Sequence, residues 1–196
     1  MKRIVLASAN PDKLAELRTL FVGTNLEVVS VTELVPGWDV EETGITLEEN
    51  AILKASSATQ ATGLPAVADD TGLFVKSLGG APGIYTARFA GSDCSYSDNM
   101  DKLLRDMLGE TDRRAVFRTA AAFSRPNEPD ICVTGEVSGT ILHQPAGDAG
   151  FGYDPVFRSD ELGSSFAECT PEEKHLVSHR ARAIKLLRKA VLDRIF

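Results

Sequence analysis

Three cysteines, Cys94, Cys132 and Cys169, are scattered along the 196 residues with no Cys-x-x-Cys spacing. That pattern supports neither a zinc centre nor a disulfide framework and suits a reducing compartment, so a cytoplasmic location is expected. Positive charge is also scarce: 21 Lys and Arg against 28 Asp and Glu leave a net charge of −7. A general nucleic-acid binder is thereby disfavoured, because neutralising a phosphate backbone needs a basic surface. No apolar run approaches a membrane span, and the faintly signal-like start Lys2-Arg3-Ile4-Val5-Leu6-Ala7 is cut short by Asn10-Pro11-Asp12-Lys13. Glycine is missing where two nucleotide-binding turns require it. The first apolar run is followed by Ser8-Ala9-Asn10, which is neither a Gly-x-Gly-x-x-Gly turn nor a Walker loop, so a nicotinamide-dependent oxidoreductase is disfavoured.

What is present is a 43% hydrophobic chain with no internal repeat and no evident linker, enough to bury a core as one domain, with or without a division into two lobes. Strand and helix signals interleave. Ile4 to Ala7 reads as a buried strand; Asn10 caps a helix starting at Pro11, with Leu14, Leu17, Leu20 and Phe21 as its apolar stripe. Thr46 and Glu49 form a capping box for a helix that Gly63 stops. A helix is expected over Asp98 to Leu108, burying Met100, Leu103, Leu104, Met107 and Leu108 and ending at Gly109. Ala115 to Phe123 and Ile131 to Leu142 read as strands, the second half-buried by alternation. Thr170 and Glu173 box another helix start, and Ile184, Leu187, Val191 and Ile195 mark the C-terminal helix. The sum is α/β with a mixed sheet.

The most informative stretch is Ala68-Asp69-Asp70-Thr71-Gly72, two adjacent carboxylates expected where the run Ala66-Val67-Ala68 ends. Such a pair can share a divalent cation, or one member can have its proton affinity raised by the other; both situations activate water. A solvated turn is the bland alternative. Glu41-Glu42-Thr43-Gly44 supplies a second acid pair, and a hard cation such as Mg²⁺ takes one or two carboxylates plus substrate phosphates. Ser8, Asn10 and Lys13 lie at a helix start, where N–H groups, a hydroxyl and an ammonium can bind phosphate oxygens; an ordinary cap with a solvated lysine is the alternative. Gly150-Phe151-Gly152-Tyr153-Asp154-Pro155 lets a planar ligand approach the Phe151 ring, with Asp154 able to accept a ring N–H, or else is a turn whose aromatics belong to the core. Ser178-His179-Arg180 adds donors at the last helix start. His143 and His175 read as surface or packing residues.

Taken in order, Ser8-x-Asn10-x-x-Lys13, Glu42-Thr43-Gly44 with Glu49-Asn50-Ala51, Ala68 to Gly72, Gly79 to Arg88, Phe151 to Pro155 and Ser178 to Arg180 resemble the inosine/xanthosine triphosphate pyrophosphatase family, also called Ham1-like. The resemblance runs from residue 4 to the last helix. It implies an elongated mixed-sheet fold of two lobes with a central cleft, a homodimer, and a single pyrophosphohydrolase domain over residues 1–196. The implied activity is Mg²⁺-dependent hydrolysis of deaminated purine nucleoside triphosphates (ITP, dITP, XTP) to the monophosphate and pyrophosphate. Carried over by position, Asp70 is the general base and a metal ligand, and Glu42 is the other metal-binding acid, with Glu41 and Asp69 as understudies. Ser8, Asn10, Lys13 and Thr71 would hold phosphates; Phe151, Gly152, Tyr153, Asp154, Lys174, His179 and Arg180 would surround the base. Thr71 stands where the family often has Ser and keeps the hydroxyl.

Under that reading Lys174, His179 and Arg180 donate to a 6-oxo group and find no match in adenine's 6-amino group. Guanine must be rejected at its 2-amino group, by a residue the sequence does not reveal. A Maf-like pyrophosphatase acting on other modified nucleotides and a non-catalytic nucleotide-binding protein are the alternatives.

Overall fold

A computed structural model describes residues 2–20 and 22–195; for Leu20 and residues 192–195 it describes the backbone alone. Phe21, and the side chains of Leu20 and Ile195 assigned above to apolar stripes, lie outside the described residues. The chain order is β1 (Lys2–Leu6), α1 (Pro11–Leu20), β2 (Leu26–Ser30), α2 (Val31–Leu34), α3 (Leu47–Thr62), β3 (Ala66–Val75), β4 (Pro82–Gly83), α4 (Tyr96–Asp106), β5 (Arg114–Ser124), β6 (Ile131–Ile141), β7 (Phe157–Ser159), α5 (Pro171–Val177) and α6 (His179–Ile195). Among the described residues these strands form a seven-stranded sheet ordered β2-β1-β3-β5-β6-β7, with β4 on β3. The sheet is mixed, as expected. β1 pairs in parallel with β2 and β3, whereas β3 with β4 and β6 with β7 are antiparallel.

The chain divides into two compact units. The first comprises Met1–Asp70, Thr119–Gly135 and Arg180–Phe196. Its core joins Ile4, Leu6 and Val67 of the parallel strands to Leu17 of α1 and Ile184, Leu187 and Val191 of α6. Strands buried on both faces need continuous apolar runs rather than alternation, which is what Ile4-Val5-Leu6 and Ala66-Val67-Ala68 provide. The second unit comprises Thr71–Arg118 and Glu136–His179. Its core gathers Leu73, Val75, Leu103, Met107, Phe117, Phe157 and Phe166. Arg113 is buried here with its guanidinium on three carbonyls, those of Met107, Ile141 and Leu142, at 3.1, 2.7 and 2.8 Å.

Local signals settle most boundaries, and three expectations need correction. The acid pair does not end a strand: β3 runs unbroken from Ala66 to Val75 with Asp69 and Asp70 both buried inside it. The chain has no need to turn toward solvent there, because cations from distant elements reach both carboxylates. At Thr46 only half of the capping box forms: the Thr46 hydroxyl accepts from Glu49 N–H, but the Glu49 carboxylate takes the Ile45 N–H at 2.7 Å. The helix expected from Asp98 starts at Tyr96, capped by Ser95 with Asp98 in a full box, and ends at Asp106. Leu108 therefore leaves the helical phase and is 88% exposed, the opposite of the burial expected for it.

Candidate active site

In the first unit, adjacent residues of an extended strand point to opposite faces, so Asp69 and Asp70 enter different surroundings. Asp70 receives the Lys54 ammonium at 2.8 Å, and the same ammonium reaches Glu42 at 2.9 Å. Two carboxylates thus converge on one point. Lys54 comes from α3, whose buried stripe Leu47, Asn50, Ala51, Lys54, Ala55 and Ala58 carries Asn50 and Lys54 one turn apart. Asn50 donates to the other Asp70 oxygen at 3.5 Å, the long limit of a hydrogen bond, and accepts from the Gly44 N–H at 2.8 Å. A Cβ on Gly44 would lie 2.5 Å from that Asn50 oxygen, so only glycine lets the acidic loop seat against α3. Glu41, the neighbouring acid, is exposed.

Burial pushes the Asp70 carboxyl above its ordinary range; Lys54 opposes this and Glu42 reinforces it. Burial would lower Lys54, but the charges of Asp70 and Glu42 outweigh it and hold the ammonium above its usual value. Asp69 shows the reverse outcome. Burial alone would raise it, yet Lys13 and Arg180 draw it well below the carboxylate range. Lys13 approaches Asp69 Oδ2 at 3.1 Å and Arg180 Nε approaches the same oxygen at 3.2 Å, while Arg180 also pairs with Glu16 of α1.

Ser8, Asn10 and Lys13 are brought together by the β1–α1 turn. Asn10 Oδ1 accepts the N–H groups of Asp12 and Lys13 at 2.9 and 3.4 Å, and Ser8 Oγ accepts that of Asn10 at 3.1 Å. The expected helix cap is therefore present in the same residues that were candidates for phosphate contact.

The second unit gathers a different set. The Asp154 carboxylate oxygen Oδ2 accepts both the Phe151 N–H at 2.8 Å and the Lys174 ammonium at 2.7 Å. Lys174 Nζ lies 5.0 Å from the centre of the Phe151 ring and 5.7 Å from that of Phe166. His179 is buried and stacks on Phe117 with ring centres 4.6 Å apart. Tyr153 is spent on the fold, its hydroxyl donating to the Thr86 carbonyl at 3.0 Å. Thr86 in turn accepts the Leu73 N–H at 2.8 Å and donates to the Gly83 carbonyl at 2.6 Å. Thr71 and Gly152 belong to this unit, whereas Arg180, adjacent to His179 in sequence, belongs to the first. Phe151, Asp154, Lys174 and His179 thus belong to the second unit, whereas the Arg180 guanidinium is engaged by Asp69 and Glu16 in the first.

Three residues at these centres escaped sequence reasoning in their present roles: Lys54, Asn50 as its companion, and Glu16. The first two carried a signal, being polar residues in phase with the apolar stripe of α3. Glu16 carried none, since an acid three residues after Lys13 reads as an ordinary helix surface.

The profile of the Ham1 family matches residues 4–190. A protein of Yersinia pseudotuberculosis serotype I (strain IP32953) named dITP/XTP pyrophosphatase is 51% identical over 197 aligned residues, covering 98% of this chain and 100% of that one. One of the same name from Thermoanaerobacter sp. (strain X514) is 44% identical, with 98% of both chains covered. Among solved structures, the Staphylococcus aureus Ham1 protein superposes with a TM-score of 0.89 at 42% identity, over 98% of this chain and 99% of that one. A HAM1 protein from Coxiella burnetii gives 0.88 at 38% identity, over 98% and 100%.

Proposed function

Because the chain belongs to the Ham1 family, we propose that it hydrolyses deaminated purine nucleoside triphosphates (ITP, dITP and XTP) to the nucleoside monophosphate and pyrophosphate with Mg²⁺. The observation that carries this reading is the convergence of Glu42 and Asp70 on one point, in a chain that matches proteins named dITP/XTP pyrophosphatase along nearly its whole length. We assign the activity to residues 1–196 as a single pyrophosphohydrolase domain. We extend the reading to a homodimer working on the free nucleotide pool of the cytoplasm, away from nucleic acid and membrane.

The donor set suits a hard cation. Among the described residues no cluster of three or more acidic, histidine or cysteine side chains is present, but Mg²⁺ needs only one or two carboxylates when water and substrate phosphates complete its shell. Glu42 and Asp70 would hold it, and when bound it would offset charge building on the phosphate oxygens. Asp70 removes the proton of the attacking water as the general base. Lys13, with Ser8, Asn10 and Thr71, holds the phosphates and stabilises the departing pyrophosphate.

Chemistry at phosphorus is blind to the base, so selectivity belongs to the second unit. Phe151 offers a stacking face, with Gly152 and Tyr153 shaping its turn. Lys174, fixed by Asp154, and His179 donate to a 6-oxo group. Adenine would leave those donors unmatched, an arrangement able to discriminate by up to about 10⁴. We place the base reading on these two residues. Arg180 is already bound to two carboxylates and serves the phosphate side first.

The test is product analysis. With ITP and Mg²⁺ the first products should be IMP and pyrophosphate; IDP with orthophosphate would overturn the reading.

A further inference from the structure

Phe151 is anchored by its backbone and not by its neighbours in the chain. Gly150 and Gly152 stand on either side, so neither adjacent residue has a side chain to brace the ring, and a Cβ on Gly150 would run into the Asp154 carboxylate. What the turn fixes is the Phe151 N–H, donated to Asp154 Oδ2 at 2.8 Å. The half-buried ring is met from other elements. One contact is the Lys174 ammonium, 5.0 Å from the ring centre, which the reading above needs as a donor to the base. Another is Tyr96, the first residue of α4, whose ring centre lies 5.9 Å away with the planes tilted by 38°. A flat heterocycle between the two rings would need two van der Waals spacings of about 3.5 Å each, so Tyr96 packs on Phe151 itself rather than facing it across a slot.

Tyr96 is firmly placed. Ser95 caps α4 in a full box with Asp98, and the buried Asn99 ties the preceding loop to the helix. Asn99 Oδ1 accepts the Ala90 N–H at 2.8 Å and Nδ2 donates to the Ala87 carbonyl at 3.0 Å. A tyrosine that is 46% exposed at the first position of a helix makes no cap and fills no core, so neither role accounts for an aromatic ring there. We propose that Tyr96 is a positioning residue for the base pocket, packing on Phe151 so that this ring keeps the orientation on which a purine stacks. The inference rests on the reading above in which Phe151 stacks on the base. Support through a ring meets no polar group of the substrate, so it is blind to the 6-substituent and to the phosphates. That combination separates Tyr96 from Lys174, which reads the base edge, and from Lys13, which holds phosphate.

The experiment compares Tyr96→Ala with wild type on the folded full chain by kcat and KM for ITP, kcat/KM for ATP, and calorimetric binding of inorganic tripolyphosphate at fixed Mg²⁺. KM for ITP should rise roughly fivefold with kcat unchanged, the size expected of one aromatic pair and the pattern of binding shared by ground and transition states. For ATP, kcat/KM should fall by the same factor, while binding of tripolyphosphate, which has no base, should not move. Tyr96→Phe keeps the ring and should recover the loss. In a Phe151→Ala background Tyr96→Ala should cost nothing further, because the ring it supports is gone. A loss that persists there overturns the inference by putting Tyr96 on the base directly, and tighter use of ITP overturns it by making Tyr96 an obstruction. A parallel fall in kcat or in tripolyphosphate affinity overturns it as general damage to the fold. Should Tyr96→Ala fail to fold, Tyr96→Leu replaces it in the same assays, with the same expected and overturning results. A wild type that neither hydrolyses ITP nor binds tripolyphosphate overturns the pyrophosphatase reading and this inference together, whereas an active wild type with an indifferent Tyr96→Ala overturns the inference alone.

Discussion

Each unit buries a lysine against an aspartate, Lys54 on Asp70 in the first and Lys174 on Asp154 in the second, at 2.8 and 2.7 Å. The neighbours differ. Lys54 has a second carboxylate, Glu42, whereas Lys174 has the faces of Phe151 and Phe166. Oxygen-rich surroundings concentrate negative charge and suit metal and phosphate chemistry. Flat apolar walls with one fixed donor suit a heterocycle with a polar edge. An ion pair in itself says little about role; what stands around it decides.

The largest expected effect breaks the comparison at its chemical end. Asp70→Asn keeps the shape but cannot serve as a base, so turnover of ITP and of ATP should both fall by at least ~10²-fold while circular dichroism stays native. If Asp69→Asn were the lethal change and Asp70→Asn mild, the roles within the pair would be exchanged.

Next comes Arg180→Ala, which takes one buried cation away from both Glu16 and Asp69 and should lower unfolding stability by about 3–5 kcal/mol, with equal losses of kcat/KM on ITP and ATP. A loss confined to ITP would move Arg180 to the base. The effect also has a pH signature. Asp69 is drawn below its ordinary range against the pull of burial, so its pairing stabilises the fold at neutral pH, and that contribution is lost as pH falls below about 4. The stability gap between wild type and Arg180→Ala, measured by urea unfolding, should therefore narrow in acid.

Lys174→Ala sharpens the other half. Removing a charged donor should cost ITP about 1–3 kcal/mol in kcat/KM and ATP less, narrowing the preference. Glu42→Gln should act more gently, chiefly raising the Mg²⁺ concentration needed for half-maximal rate. A metal requirement that moved in Lys174→Ala and not in Glu42→Gln would erase the division of labour.

Much of this was legible before any fold was known, wherever the signal is local. Asn10, Thr46 and Thr170 announce helix starts because a cap is made by residues two or three positions apart. Expected strands at Ile4, Ala115 and Ile131 are present because apolar runs and alternation are properties of the segment itself. The acid pair misled for the complementary reason. Two carboxylates inside a strand look untenable until their partners arrive, and those partners sit 16, 56 and 111 residues away in Lys54, Lys13 and Arg180. Nothing in Ala68 to Gly72 encodes them. Leu108 misled because the helical period was carried past a helix that stops at Asp106.

Thr86 has a consequence for backbone exchange. The Leu73 amide belongs to β3, yet its acceptor is a side-chain hydroxyl rather than a strand carbonyl, while the Val75 amide two residues on uses the Ala81 carbonyl at 3.2 Å. Deuterium uptake at these two positions should consequently be separable by one atom. Thr86→Val preserves the shape and removes the acceptor, so Leu73 should exchange markedly faster while Val75 keeps its protection. The same hydroxyl donates to Gly83, and the Thr86 carbonyl holds the Tyr153 phenol. Faster exchange at Leu73 would thus measure how far the strand that leaves Asp70 is stiffened by a side chain thirteen residues downstream.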